Sequence, residues 1–496
     1  MSEPRYKLHW VTVLVETLKA LKDAILPLAV VLFTGSRNNN TGNWFLDNWS
    51  LLFGVVLALF LISSGFIKWR RFTYWFEDGE LRIESGLFVK KKRYIPFERI
   101  QSLNYTEGIF HRPFGLVKVE IETAASGSGE SEAELTAVTR EGADRIKQRI
   151  AEGKRRKSES GEGLPLTEES SEETAHAADR ENAGRTVFTL SPKQLIILAT
   201  TSSGIGVIFS GAAIFLSQFG ELLPIAKVGR ELTSLLKFGV LLIAILVFLA
   251  LLGAWLLSVA MTFFSYYGFK VSVTDEELII TRGLIEKKRT TVPLRRIQSV
   301  SLQENPLRQL FGYGRVVVHS AGAAGDGSRI QLFPLVMKKD MYGPLQEIFP
   351  DLDIRDPDGK LPKRGRRFYY RIDFFWLVPI IGLLSWFFYP YGLWSLLLIP
   401  AVIGFGMWQH RSAACRITGN QVTIRARGFG LETSYTMKKR IQSAELRQTI
   451  FQKRKDVATI HLNVKSGMGV HDVSLRQMDR REAEQLLAWY EPGERS

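Results

Sequence analysis

The chain has 496 residues, 46% of them hydrophobic and 23% charged, with a net charge of +15. Its single cysteine, Cys415, excludes an intramolecular disulfide and suits a reducing compartment. Long uncharged runs alternate with charged stretches, which excludes one soluble globule.

The first apolar stretch, Ala24 to Ser36, reaches the length of a membrane span only by adding Leu14 to Asp23, which carries Glu16, Lys19, Lys22 and Asp23. It reads as a span with snorkelling lysines, or else as an interfacial or re-entrant helix. A signal peptide fits poorly, because no small-residue cleavage site follows. Asn48 to Ile67 is uncharged over 20 residues. A first hydrophilic segment follows. Within it Leu81-Arg82-Ile83-Glu84 and the alternating Val117 to Glu122 predict strands, and Ala143, Ile146 and Ile150 predict a closing helix. Ser158 to Asn182 holds eight acids against one base and predicts a flexible tether.

Uncharged runs return at Gln194 to Gly220, Phe238 to Met261 and Phe374 to Gln409, of 27, 24 and 36 residues. The last is long enough for two spans, with a turn at Tyr389-Pro390-Tyr391-Gly392. Six spans in three hairpins result. Lys68, Arg70, Arg71, Lys270, the Lys363 to Arg371 cluster, Arg411 and Arg416 flank the spans beside the hydrophilic segments. The hairpin loops are near neutral, so both termini and all hydrophilic segments should be cytoplasmic. Trp44, Trp49, Trp69, Trp376 and Trp408 sit near span ends, as an aromatic belt would place them.

The hydrophilic segments repeat one unit. Gly86-Leu87 aligns with Gly283-Leu284, Pro96 with Pro293, Arg99-Ile100-Gln101-Ser102 with Arg296-Ile297-Gln298-Ser299, and Phe114-Gly115 with Phe311-Gly312. The offset is 197 residues, without a gap. A third copy carries Arg440-Ile441-Gln442-Ser443 but lacks the proline and the Phe-Gly. Each copy predicts a run of strands closed by one helix, in the third by Ala483, Leu486 and Leu487, which suggests a small curved sheet or open barrel.

This order of hairpin, Gly-Leu turn, Arg-Ile-Gln-Ser and Phe-Gly resembles the second bacterial family of pleckstrin-homology-like (PH-like) domains, in its three-copy YdbT-type membrane form. The resemblance covers nearly the full length and implies PH-like split barrels, each with a C-terminal helix. It also implies a companion, a smaller single-domain YdbS-type membrane protein, and offers no established enzymatic activity to carry over. The fold class expected is therefore a multi-domain membrane protein, with α-helical transmembrane hairpins plus three mixed β+α PH-like split-barrel domains. Hairpins are expected at 1–71, 191–262 and 373–410, and PH-like domains at 72–152, 263–352 and 411–491. An acidic flexible linker at 153–190 and a basic linker at 353–372 separate them.

Two sets of residues are candidates for contact. Lys90, Lys91, Lys92 and Arg93, with Lys287, Lys288 and Arg289, form basic tips that could meet anionic lipid or a partner. The other reading is a solvated turn that discourages edge pairing. The motif residues Arg99, Gln101, Arg296, Gln298, Arg440 and Gln442 either form a repeated polar surface or serve the fold, with the isoleucine in the core and Arg and Gln bonded to backbone.

No catalytic, cofactor or metal motif is present, and the seven histidines show no ligand spacing. No enzyme, cofactor or nucleic-acid partner is expected. The partners expected are membrane lipids, the smaller PH-like protein and further copies of the chain. The function read from the sequence is assembly in a bacterial cell-envelope complex, with anionic lipid contact. A transport or export component is the alternative, although the five strong apolar runs hold no charge.

Overall fold

The computed structural model describes residues 4–35, 49–86, 89–123, 132–159, 184–201, 240–321, 329–387, 389–467 and 469–491. Helices α1 (Val11–Gly35) and α2 (Trp49–Arg71) precede the first repeat. Their packing includes an ion pair between Glu16 and Lys68 at 3.9 Å, which gives one of the α1 charges a partner. The repeat itself holds β1 (Thr73–Glu77), β2 (Glu80–Ser85), β3 (Lys91–Pro96), β4 (Ile100–Glu107), β5 (Leu116–Thr123), β6 (Ala133–Thr139) and α3 (Arg140–Glu159).

The second unit comprises β7 (Arg185–Thr189), α4 (Pro192–Thr201), α5 (Val240–Tyr266), β8 (Lys270–Val273), β9 (Glu277–Arg282) and β10 (Lys287–Pro293). It continues through β11 (Ile297–Glu304), α6 (Pro306–Leu310), β12 (Tyr313–Ser320), β13 (Arg329–Met337) and α7 (Lys338–Ile348). The third comprises β14 (Gly359–Lys360), α8 (Phe368–Phe387), α9 (Leu398–Ser412), β15 (Ala414–Thr418), β16 (Gln421–Arg427) and β17 (Leu431–Met437). It ends with β18 (Ile441–Arg447), α10 (Ile450–Lys453), β19 (Val457–Ser466), β20 (Gly469–Asp479) and α11 (Arg480–Tyr490).

Local sequence explains these elements. In β5, Val119 and Ile121 are fully buried while Lys118 and Glu120 face outward and pair at 2.8 Å, so period-2 alternation places one face in the core. The closing helices bury Ala143, Ile146 and Ile150, then Met341, Leu345 and Ile348, then Ala483 and Leu486, one stripe per helix. Gly86 and Gly283 turn β2 into β3 and β9 into β10 at φ 132° and 105°. A Cβ at either would come within 1.9 Å of the carbonyl oxygen of Val89 or Glu286, so only glycine fits.

The six strands of one repeat split into two sheets, and the sheets run across repeat boundaries. One seven-stranded sheet has the order β6-β5-β4-β10-β9-β8-β7, and a second has β13-β12-β11-β17-β16-β15-β14. Three-stranded sheets remain at the chain's two ends, β1-β2-β3 and β18-β19-β20. The segment before each hairpin also pairs with the strand after it. Tyr6 bridges Tyr74, β7 pairs β8 and β14 pairs β15, all antiparallel.

Several expectations are corrected here. Arg185–Thr189 and Gly359–Lys360 are strands, not linker, and α3 runs on to Glu159. The acidic residues 160–183 lie outside the described residues. Lys91 to Arg93 and Lys287 to Arg289 begin strands β3 and β10 and are not loop tips. The third repeat does without Phe-Gly because Asp456, at φ 47°, takes the left-handed position of Gly115 and Gly312.

Among the described residues two helical stretches are long and apolar enough to cross a bilayer, Phe53–Arg71 and Gly392–Ser412. Both stretches are almost wholly exposed, which sets them apart from soluble core helices. Leu252–Tyr266 and Trp376–Phe387 are shorter apolar helices. Most of the span expected at Gln194 to Gly220 lies outside the described residues, as does the start of the one at Phe238.

Candidate functional site at the strand edges between repeats

The repeated tetrapeptide has one geometry in all three copies. Its arginine closes a 3-10 turn, at Arg99, Arg296 and Arg440. The isoleucine N–H then bonds back to the carbonyl of Phe97, Leu294 or Lys438, and its side chain is buried. The strand register slips between Ile100 and Ser102, Ile297 and Ser299, and Ile441 and Ser443. The glutamine is therefore the extra residue of a β-bulge, and the serine resumes pairing. Gln298 Nε2 donates to Arg296 O at 2.8 Å, and the Gln442 carbonyl accepts from Tyr490 at 2.9 Å. The Gln101 side chain lies outside the described residues. The motif bends each long strand at its start, which is a fold-determining role.

Those bent strands form the junctions. In the first, Lys287, Lys288 and Arg289 of β10 face Glu107, Thr106 and Tyr105 of β4. In the second, β17 faces β11 over six positions, from Ser299 opposite Thr436 to Glu304 opposite Leu431. The register is conserved, since Arg289 opposite Tyr105 matches Thr433 opposite Leu302. Beside the first junction lies a cavity of about 1090 Å³ bounded by Ser102, Lys147, Asp275, Lys287, Arg289 and Arg296. Burial lowers the Arg296 pKa, with Arg295 adding to the effect, and burial raises that of the Tyr105 hydroxyl. The corresponding cleft at the second junction is about 250 Å³ and holds Arg295, Gln298, Lys439 and Arg440.

The same two edges reappear unpaired at the chain's ends. Among the described residues β3 and β18 each pair on one side only. Tyr94 of β3 is 52% exposed, whereas Tyr435, its counterpart in β17, is 1% exposed. Glu445 of β18 is exposed, whereas its counterpart Ser301 in β11 is fully buried.

The basic sets are thus divided. Lys287 to Arg289 are built into the first junction. Lys90 and Lys92 pair with Glu84 at 2.8 and 3.5 Å, and the hydrogen bond from Lys90 holds the Glu84 carboxyl below its ordinary pKa. Arg93 donates to the Glu132 carbonyl, and Lys91 is exposed on the open edge.

Sequence reasoning missed a repeated apolar turn. After the motif strand each copy exposes large hydrophobic side chains: Ile109, Phe110 and Phe114, then Leu307, Leu310 and Phe311, then Ile450 and Phe451. Leu310 is 79% exposed. Phe114 packs edge-on against Trp10 at the foot of α1, with centroids 5.5 Å apart. Arg308 beside Leu307 donates to Thr201 Oγ1 at 3.2 Å, at the described end of α4. The turns were findable as apolar residues at one offset from each motif, in segments otherwise polar.

A bacterial PH domain family model matches residues 21–154, 214–340 and 373–493. The chain belongs to the bacterial PH domain family. The first two matches to this PH family begin inside a hairpin and the third at the start of one, so hairpin and domain travel together. Over 501 residues the chain is 36% identical to the UPF0699 transmembrane protein YdbT of Bacillus subtilis (strain 168), covering 99% of this chain and 98% of that protein. It is also 27% identical over 100 residues to the UPF0699 transmembrane protein YdbS of the same organism, covering 20% of this chain and 58% of that protein. No solved structure gives a significant match. Family membership and the apolar helices together make this a membrane protein carrying three PH-like repeats.

Proposed function

We propose that this chain is an assembly scaffold of the bacterial cell membrane, whose open strand edges take up a further PH-like domain. One observation carries the reading. The chain joins its own repeats twice by the same edge-to-edge pairing and leaves the same two edges open at its ends. Strand addition supplies main-chain hydrogen bonds, and the side chains set the partner. A protein of the YdbS kind, short enough to hold one such repeat, is the occupant proposed. Docked on β18 in the conserved register, its strand would meet Leu446 where Thr433 meets Leu302.

Six spans hold the scaffold with all repeats on the cytoplasmic side. The antiparallel pairing around each hairpin supports a common side for the repeats, because it returns the chain to the side it left, and the lysines and arginines at the span ends favour the cytoplasmic one. The apolar turns would rest in the headgroup region, with Lys91 and the arginines at the span ends near anionic lipid. No catalytic step is assigned.

The test is purification of the tagged full chain from native membranes in mild detergent, with mass spectrometry of what accompanies it. A small PH-like membrane protein in stoichiometric amount is expected. A parallel Lys91→Cys/Arg447→Cys chain, in a Cys415→Ser background, pairs the two open edges of different copies under oxidation. A disulfide-linked ladder with no small protein present would overturn the proposed occupant in favour of a second copy.

A further inference from the structure

Three residues far apart in sequence meet where the second and third repeats join. They are His319 on β12, Glu432 on β17 and His471 on β20, and one ligand atom from each lies within 4.8 Å of the other two. The two imidazoles stack, with centroids 3.8 Å apart and planes inclined by 11°. His319 is fully buried and His471 half-buried, and Nε2 of each is enclosed without a hydrogen-bond partner. Enclosed polar atoms are nearly always paired, so two on adjacent rings call for an occupant.

The surroundings prepare all three groups as ligands. His319 Nδ1 lies 3.3 Å from Ser466 Oγ. With the proton on Nδ1 donated to that oxygen, the Nε2 lone pair is free. Glu432 Oε1 accepts from Gln303 Nε2 at 3.0 Å, and Gln303 Oε1 accepts from Arg315 Nε at 2.8 Å. That outer chain fixes the carboxylate, as second partners do in metal sites. A cavity of about 380 Å³ bounded by Gln303, Arg315, Glu432, His471 and Asp472 gives an ion entry and room for water.

We propose that His319 Nε2, His471 Nε2 and the Glu432 carboxylate bind one divalent transition-metal ion of the zinc class, clamping the second sheet of the third repeat onto the second repeat. Two imidazoles and one carboxylate select zinc, cobalt or iron over calcium and magnesium, which prefer oxygen ligands. Zinc–nitrogen bonds are about 2.0–2.1 Å, so loading must draw the ligand atoms closer and splay the stacked rings. His471, half-exposed at the cavity, is the ring with room to rotate. The backbone already holds the two repeats together beside it, where Gly467 N–H bonds to Ser320 O at 2.9 Å. The site does not depend on what docks at the open edges.

The experiment uses the full chain in detergent, purified with a histidine-free tag, stripped with chelator and dialysed against zinc. Elemental analysis should give one zinc per chain, with a raised Tm, and cobalt in its place should give visible ligand-field absorption. His471→Asn and Glu432→Gln should each weaken zinc binding by about 10–100-fold or more. His9→Asn, in the segment before α1, should not. If His319→Asn fails to fold, the other two variants decide. Absence of stoichiometric zinc from the wild type, or unchanged zinc in both His471→Asn and Glu432→Gln, would overturn the site and leave adventitious binding only.

Discussion

The two junctions share one topology but differ in depth. The first repeat meets the second over three paired positions, and the second meets the third over six. The difference lies in one strand. At the first junction β10 brings Lys287, Lys288 and Arg289, whose charges must reach water, and the sheets part around a cavity of about 1090 Å³. At the second, β17 brings Thr433, Ser434, Tyr435 and Thr436, all buried, and Ser434 Oγ lies 3.0 Å from Ser301 Oγ. Tyr435 also enters the core of the second repeat. Small and uncharged side chains that bury fully, with Ser434 and Ser301 hydrogen-bonded across the seam, let two repeats fuse, whereas a run of cations with the same backbone pairing leaves a looser joint.

The strongest way to break this contrast is a proline in the joining strand. Ser434→Pro should cost on the order of 3 kcal/mol or more, and Lys288→Pro clearly less, because β10 has fewer ladder partners to lose. Cys415 of β15 reports the opening. Burial raises its thiol pKa from 9.0 to about 12, so the folded thiol stays protonated at pH 7 to 9. An exposed cysteine titrates near about 8.5 and alkylates readily in that range. Stability from this thiol is thus full below about pH 8.5 and lost as pH rises towards 12. Maleimide labelling at pH 8 should be slow in the wild type, fast in Ser434→Pro and slow in Lys288→Pro. Equal labelling of the two variants would refute the ranking of the junctions.

A core truncation sharpens the comparison. Leu302, 1% exposed, and Tyr105, half-buried, occupy the same position at the two junctions. Leu302→Ala should cost about 2–5 kcal/mol, and Tyr105→Ala less, as read from thermal unfolding in detergent. The smallest effect belongs to charge. Lys287 lies directly opposite Glu107, and Lys287→Glu should destabilise the first junction by about 0.2–1 kcal/mol. That loss should shrink in high salt, and limited proteolysis at low and high ionic strength would measure it.

Much of the fold was legible because its signals are local. Alternation in Val117 to Glu122 follows from the strand period, the Ala143, Ile146 and Ile150 stripe from the helix period, and the glycines at 86 and 283 from a backbone only glycine adopts. The isoleucine of Arg-Ile-Gln-Ser was readable as core by the same logic. The bulge at its glutamine was not, because a bulge is defined by the partner strand. The basic runs misled for a similar reason. Lys287 to Arg289 look like an exposed tip until β4 is laid beside them.

The sequence by itself determined the three-fold repeat, the apolar stretches beside each copy and the strand and helix content, since periodicity and unbroken apolar runs depend only on neighbours along the chain. Tertiary structure alone decided that the sheets cross repeat boundaries and that, among the described residues, β3 and β18 lack the partner their counterparts have. It also decided that the turns after each motif expose their apolar side chains together. His319, Glu432 and His471 carry no mutual signal in the sequence, because three separate strands bring them within 4.8 Å. Pairing across long sequence separation is set by which edges fit, and no local pattern encodes that fit.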